Sequence, residues 1–334
     1  MSTPLLRPAS TLLLSCALVI VSCSSAPPRT DTVTDVKKEA SQLAVAGESY
    51  FRQGRYDLAL QFFSQALNGY TSVDDVNGAL KCTVSIGQVY LATDRVDEAA
   101  VMFTRARERA RALSTPLFID SSISLGELYL RKRENQKALE IFQDTLAASG
   151  AGAATGPAAA PAQGPPGAAA PPPGTLTPEQ RGVLYHDLGV AYKAAGDYSK
   201  ALESLNRSLQ LNLAARLSWQ AAADYYMIAS VHSKQEDYPA AARNAQAALD
   251  LDKKIENSPG IAQDLRALGL IARKRGDGSV AYDYFQRSYL VFSALGMKGE
   301  MRKALGDLAE TADSLGLTAD AQRYRALLAQ TGSP

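Results

Sequence analysis

The chain has 334 residues and an almost balanced charge, with Lys plus Arg at 35 against Asp plus Glu at 34. Phosphate-backbone binding needs a concentrated positive surface, so this balance disfavours nucleic acid as a partner. There are two histidines and three cysteines, and no HExxH, zinc-type cysteine pair, phosphate-binding glycine loop or nucleophile elbow. Those absences point away from an enzyme, and no metal or cofactor is expected.

The first element reads as an address. Arg7 precedes an apolar run from Thr11 to Val21, too short for the roughly 20 residues that a helix needs to span a bilayer. Residues 1–22 are therefore expected to be a signal segment. Residues 23–38 follow as Cys23 and a polar tether, SSAPPRTDTVTDVKK.

Residues 39–148 carry three amphipathic units. In the first, Leu43, Ala46, Gly47 and Tyr50 share one helix face by their i, i+3, i+4, i+7 spacing. After Gln53-Gly54-Arg55 a second face runs through Ala59, Phe63, Ala66 and Leu67. Two such helices across a short turn form an antiparallel hairpin. Gly47 and Ala59 are small where the backbones should approach closely, beside Tyr50 and Phe63.

The unit recurs. Small residues fall at Gly47, Gly87, Gly126, Gly189, Ala229, Gly269 and Ala309, at intervals of 40, 39, 63, 40, 40 and 40 residues. The long interval holds residues 149–177, with no Asp, Glu, Lys or Arg and with seven of the 16 prolines. That composition predicts a disordered linker. It could bulge from one continuous array or separate a three-unit array from a four-unit array in residues 178–330. Thr115-Pro116, Thr177-Pro178 and Ser258-Pro259 each place a capping hydroxyl before a proline, predicting early starts and longer first helices. Thr177 with Gln180 reads as a capping box. The lone Cys82 of the array reads as core filler, His232 as a packing residue in the slot of Tyr192, and Trp219 as core or interface. His186 and Asp187 are adjacent on a helix, so they are not expected to work as a pair.

The runs LAVAGESYFRQGRYDLALQFFSQAL and LYHDLGVAYKAAGDYSKALESLNRSL resemble tetratricopeptide repeats. The fourth unit carries the pattern as Gly189, Tyr192, Gly196, Ala201, Leu205 and Ser208. The resemblance implies an all-α solenoid of about seven helical hairpins, with a period near 40 residues rather than the usual roughly 34, the last hairpin serving as a cap. Ile20-Val21-Ser22-Cys23 in turn resembles the lipobox of bacterial lipoproteins. That implies lipidation at Cys23 and anchorage in the cell envelope, with Ser24 favouring the outer membrane.

In the repeat family, first helices line a concave groove. Carried onto this chain, one row of groove positions presents Phe51, Leu91 and Leu130, then Lys193, Ser233 and Arg273. Another presents Ala44, Val84 and Ile123, then His186, Tyr226 and Arg266. The apolar row could receive an amphipathic helix or merely pack against neighbouring helices; the polar set could receive an acidic segment. The expectation is a membrane-anchored scaffold or adaptor for protein or peptide partners. The alternative is a periplasmic peptide-binding sensor or regulator.

Overall fold

The computed structural model describes residues 32–150 and 176–331. The signal segment, Cys23 and most of the Pro/Ala/Gly tract lie outside the described residues. Fourteen helices and no strands occur among the described residues. The first units fold as α1 (Val33–Arg52) with α2 (Tyr56–Ser72), α3 (Val76–Ala92) with α4 (Val96–Ala112), and α5 (Leu117–Arg131) with α6 (Asn135–Ala148). After the tract come α7 (Pro178–Ala195) with α8 (Tyr198–Ala214) and α9 (Ser218–Lys234) with α10 (Tyr238–Lys254). The last pairs are α11 (Ser258–Arg275) with α12 (Gly278–Ala294) and α13 (Lys298–Ser314) with α14 (Thr318–Gln330). Each helix packs on the next.

The hairpins close where the sequence is small, and the degree of smallness follows the facing residue. A Cβ added to Gly269 would lie 2.6 Å from Phe285 Cε1, and one added to Gly87 would lie 2.5 Å from Phe103 Cε1. Gly47 is likewise filled by Phe63, Gly126 by Phe142 and Gly189 by Leu205. In the hairpin of α9 and α10 the position holds Ala229, and a small Ala245, fully buried like Ala229, stands where the five glycine-bearing hairpins carry Phe or Leu; the last hairpin has Ala309 with Arg325 at the corresponding position. Large apolar residues thus meet glycine, and Ala229 goes with a small partner. This trade of volume keeps a close-packed interior filled.

Short turns join the helices through a left-handed residue. After α1, Gly54 has φ of 72°, while its N–H donates to Phe51 O and that of Arg55 donates to Tyr50 O, both at 2.9 Å. These paired bonds satisfy the last carbonyls of the helix. Asp94, Arg216 and Glu236 hold the same conformation at other turns without being glycine, with φ of 61°, 57° and 63°.

Three expectations change in detail. α1 begins at Val33, inside the expected tether, because Thr32 and Asp35 form a capping box. The Thr177–Gln180 box is present, but Thr115 Oγ1 is buried without a partner and no side chain caps α5 or α11. The early-start explanation of the long repeat holds only in part: α7 and α11 start at or one residue before their prolines and have 18 residues, one more than the longest second helices. α5 has only 15 residues, whereas α2, α4, α8, α10 and α12, all second helices, have 17. The added length is shared between both helices of the hairpins.

Across the tract, α6 and α7 pack directly. Leu176, within the expected linker, is 3% exposed and joins Ala138, Leu139 and Phe142 on one side with Leu184, Tyr185 and Leu188 on the other. Gln143 Nε2 donates to the Tyr192 hydroxyl at 2.7 Å, and Gln180 Nε2 donates to Asp120 Oδ1 at 2.9 Å.

Candidate functional site

Odd-numbered helices from α1 to α11 each touch the next odd-numbered helix, whereas no even-numbered helix makes comparable contact with the next even one. Stacked units that approach more closely along one edge bend towards it. The odd helices therefore line the inner face of the curve.

A cavity of about 260 Å³ opens where α7, α9 and α11 run side by side, lined among others by His186, Trp219, Tyr226, Asn257, Gln263 and Asp264. Trp219 is 61% exposed, so of the two expected places, core or interface, it does not occupy the core. Tyr226 is half-buried, and burial raises the pKa of its hydroxyl. Beneath these rings lie carboxyl groups that the sequence reading passed over.

The first is Asp224, with no solvent exposure. It accepts hydrogen bonds from Ser208 Oγ at 2.9 Å and Asn212 Nδ2 at 2.7 Å, and pairs with His186 Nδ1 at 2.7 Å. Burial alone would lower the pKa of His186. The hydrogen bond and charge of Asp224 outweigh it, and the imidazole titrates above its usual value. His186 thus finds its acid one unit along the array and not in adjacent Asp187, as the geometry of a single helix required.

The second is Asp264, 1% exposed, whose Oδ2 has no hydrogen-bond donor. Burial, and then the neighbouring Asp252 carboxyl, push its pKa up to about 8. Asp252 accepts from Asn257 Nδ2 at 3.1 Å. It also lies so close to Gly260 that a Cβ there would collide with its carboxylate. Two carboxyl groups in contact cannot both ionise cheaply, so they share a proton at neutral pH. The Asn212–Asp224 and Asp252–Asp264 pairs occupy equivalent positions, 40 residues apart. That recurrence of polar residues on otherwise apolar faces was visible in the sequence.

The structure distributes the sequence-predicted groove residues unevenly. His186 and Tyr226 meet in the cavity. Arg266 and Arg273 lie together one unit further on, but their charges are already met. Arg266 Nε donates to Asp307 Oδ2 at 2.7 Å, and Arg273 donates to Asp307 Oδ1 at 3.2 Å and Glu310 Oε2 at 3.0 Å. Asp307 is 7% exposed and needs such counter-charges. Lys193 lines a separate opening with Lys234, Val190 and Tyr198. Neither lysine makes an ion pair among the described residues, and burial followed by the charge of Lys234 lowers the Lys193 pKa. Phe51, Leu91 and Leu130 are half-buried and join core clusters between neighbouring hairpins. Cys82, 2% exposed, is a thiol held near pKa 11 by burial.

Tetratricopeptide-repeat family profiles match residues 40–112, 84–154, 183–214 and 226–296. No curated protein is matched. Among solved structures, the apo form of RapI aligns at a TM-score of 0.64 and 14% identity, covering 88% of this chain and 97% of that one. The apo quorum sensor NprR from B. thuringiensis aligns at 0.64 and 18% identity, covering 90% and 80%. A Rap protein complexed with competence and sporulation factor aligns at 0.59 and 14% identity, covering 88% and 74%. At these identities the likeness is one of fold.

Proposed function

We propose, from the premise that this chain is a tetratricopeptide-repeat protein, that its seven hairpins, spaced near 40 residues, form a non-catalytic scaffold. The scaffold binds a protein or peptide partner along the inner face of the odd helices. The observation that carries this reading is the cavity between α7, α9 and α11, where an exposed tryptophan, a half-buried tyrosine and buried polar groups converge on one concave surface. A concave face with such anchors suits an extended or helical segment better than a flat partner surface. The Lys193–Lys234 opening supplies a cationic end to the same face. The N-terminal sequence supports a lipid-anchored location, with Cys23 as the modified residue and the array held in a bacterial envelope, at its outer membrane.

A second reading, a peptide-responsive sensor, is favoured by the fold likeness to a protein described as a quorum sensor and to another crystallised with a signalling factor. Small-angle scattering with and without a bound peptide separates the two. A rigid profile supports the adaptor, and a change of curvature supports the sensor.

The test of the main reading is panning of a random-peptide library on the full chain. Captured peptides should be lost by Lys193→Glu combined with Tyr226→Ala while circular dichroism is unchanged; full retention would reject the inner face. For the anchor, Cys23→Ala should move the protein from the membrane to the soluble fraction, and continued flotation with membranes would reject lipidation at that residue.

A further inference from the structure

We propose that the cavity between α7, α9 and α11 is a subsite for a guanidinium group, the side chain of an arginine in a bound peptide, with Asp264 as its counter-charge and Trp219 and Tyr226 as its walls. This rests on the peptide-binding reading above and adds the chemistry of one position in the peptide.

Three observations converge. Asp264 lines the cavity, is 1% exposed, and keeps Oδ2 without a donor. No donor from the protein other than the proton shared with Asp252 serves this carboxyl, so a charged ligand donor arriving there supplies a partner that the free protein lacks. The rings beside it are of the kind on which a planar, weakly hydrated guanidinium stacks better than an ammonium does. Gly260 has no side chain, and that absence lets the Asp252 carboxylate sit against the α11 backbone, where it neighbours Asp264 and lines the same cavity.

The surrounding charges leave this site anionic in character. On α7, His186 is paired with Asp224 of α9, which raises its pKa, and the adjacent Asp187 is buried with its pKa pushed up to about 7. On α11, Arg266 is committed to Asp307 of α13. Glu300 and Lys303 of α13, which act on Tyr226 from a distance, pair with each other at 2.7 Å. What remains is the Asp252–Asp264 pair holding one shared proton. An entering guanidinium satisfies Oδ2 and favours the fully ionised pair, so the proton leaves to solvent. Binding near neutral pH should therefore release protons and tighten as pH rises towards 8.

The chain's single tryptophan reports on this cavity directly. The probe is the capped tripeptide acetyl-Gly-Arg-Gly-amide, titrated against Trp219 emission of the full chain, beside the citrulline analogue, which keeps the shape and loses the charge. The arginine peptide should change the emission saturably, and the citrulline peptide should bind at least about tenfold more weakly, as expected for loss of one charge-assisted contact. Asp264→Asn, which preserves size, should remove most of the difference. Equal responses to the two peptides, or a stronger response to acetyl-Gly-Glu-Gly-amide, would overturn the assignment without any variant being needed. If library peptides are still captured while Trp219 stays silent to arginine, this subsite falls and the peptide-binding reading stands. Loss of all peptide capture would remove both.

Discussion

Replacing Gly269 by alanine tests how the hairpins close. The new methyl would sit 2.6 Å from Phe285 Cε1, 2.7 Å from Cδ1 and 3.0 Å from Cζ. Carbon contacts are comfortable at roughly 3.5–4.0 Å, so the ring must retreat by about an ångström. Phe285 has no exposed surface into which to move. Overpacking of this kind costs about 1–3 kcal/mol, against a gain of about 1 kcal/mol from exchanging glycine for alanine within a helix. The expected net effect is a loss of up to about 2 kcal/mol, measured as a lowered urea midpoint by far-ultraviolet circular dichroism. Gly306 is the control. It also lies within a helix, and nothing stands within 4 Å of the position its Cβ would take, so Gly306→Ala should stabilise by about 0.5–1 kcal/mol. Phe285→Ala alone should cost about 3–5 kcal/mol. In that background Gly269→Ala should turn from destabilising to stabilising, reproducing the Ala229 and Ala245 arrangement of the preceding hairpin. If Gly269→Ala stabilises the wild-type background as Gly306→Ala does, the volume-matching argument is wrong.

Asp224→Ala should cost about 3–5 kcal/mol, because it strips a buried anion from His186, Ser208 and Asn212 together; it should also lower the His186 pKa, read from imidazole proton shifts, and an unchanged titration would refute the pairing. Stability should fall as pH rises from about 4 to about 8, because Asp187 and Asp264 ionise near 7 and 8 in the folded chain but near 3.9 when unfolded. Between those values the folded state holds more protons than the unfolded state, so raising the pH favours unfolding. Asp264→Asn should flatten the upper part of that decline in urea midpoints, and a slope unaltered by the substitution would contradict it. Arg266→Glu should destabilise the α11–α14 region, because it sets a carboxylate beside the nearly buried Asp307. A thermal melt with no loss would mean that the ion pair is not formed.

The repeat was legible because it is written in local chemistry. Gly47, Tyr50 and Ala59 lie within one hairpin, and helical periodicity brings them together without knowledge of anything more distant. The helix starts were less legible. Thr115 and Ser258 look like Thr177 in sequence, yet only Thr177 has both an extended backbone and a returning Gln180 side chain. The site was the least legible part. His186 pairs with a residue 38 positions on and Arg266 with one 41 positions on, because stacking sets each first helix beside that of the next unit. Reading one helix at a time shows two free arginines facing a groove. Reading two shows arginines already bound to their own acids. Asp264 was passed over for the same reason, since it carries no motif and its convergence with Trp219 exists only once α9 and α11 lie side by side.

The unbroken core beneath Leu176 bears on how this protein can be dissected. Phe142 and Leu139 on one side and Leu184 and Leu188 on the other are dry because they cover one another. Separated at the proline tract, each piece would wet a greasy end face, and edges of that kind glue unrelated molecules together. The tract looks like a natural place to cut, yet shorter versions made there would report on stickiness, while the inner face proposed for binding, which straddles neighbouring units, calls for the whole chain.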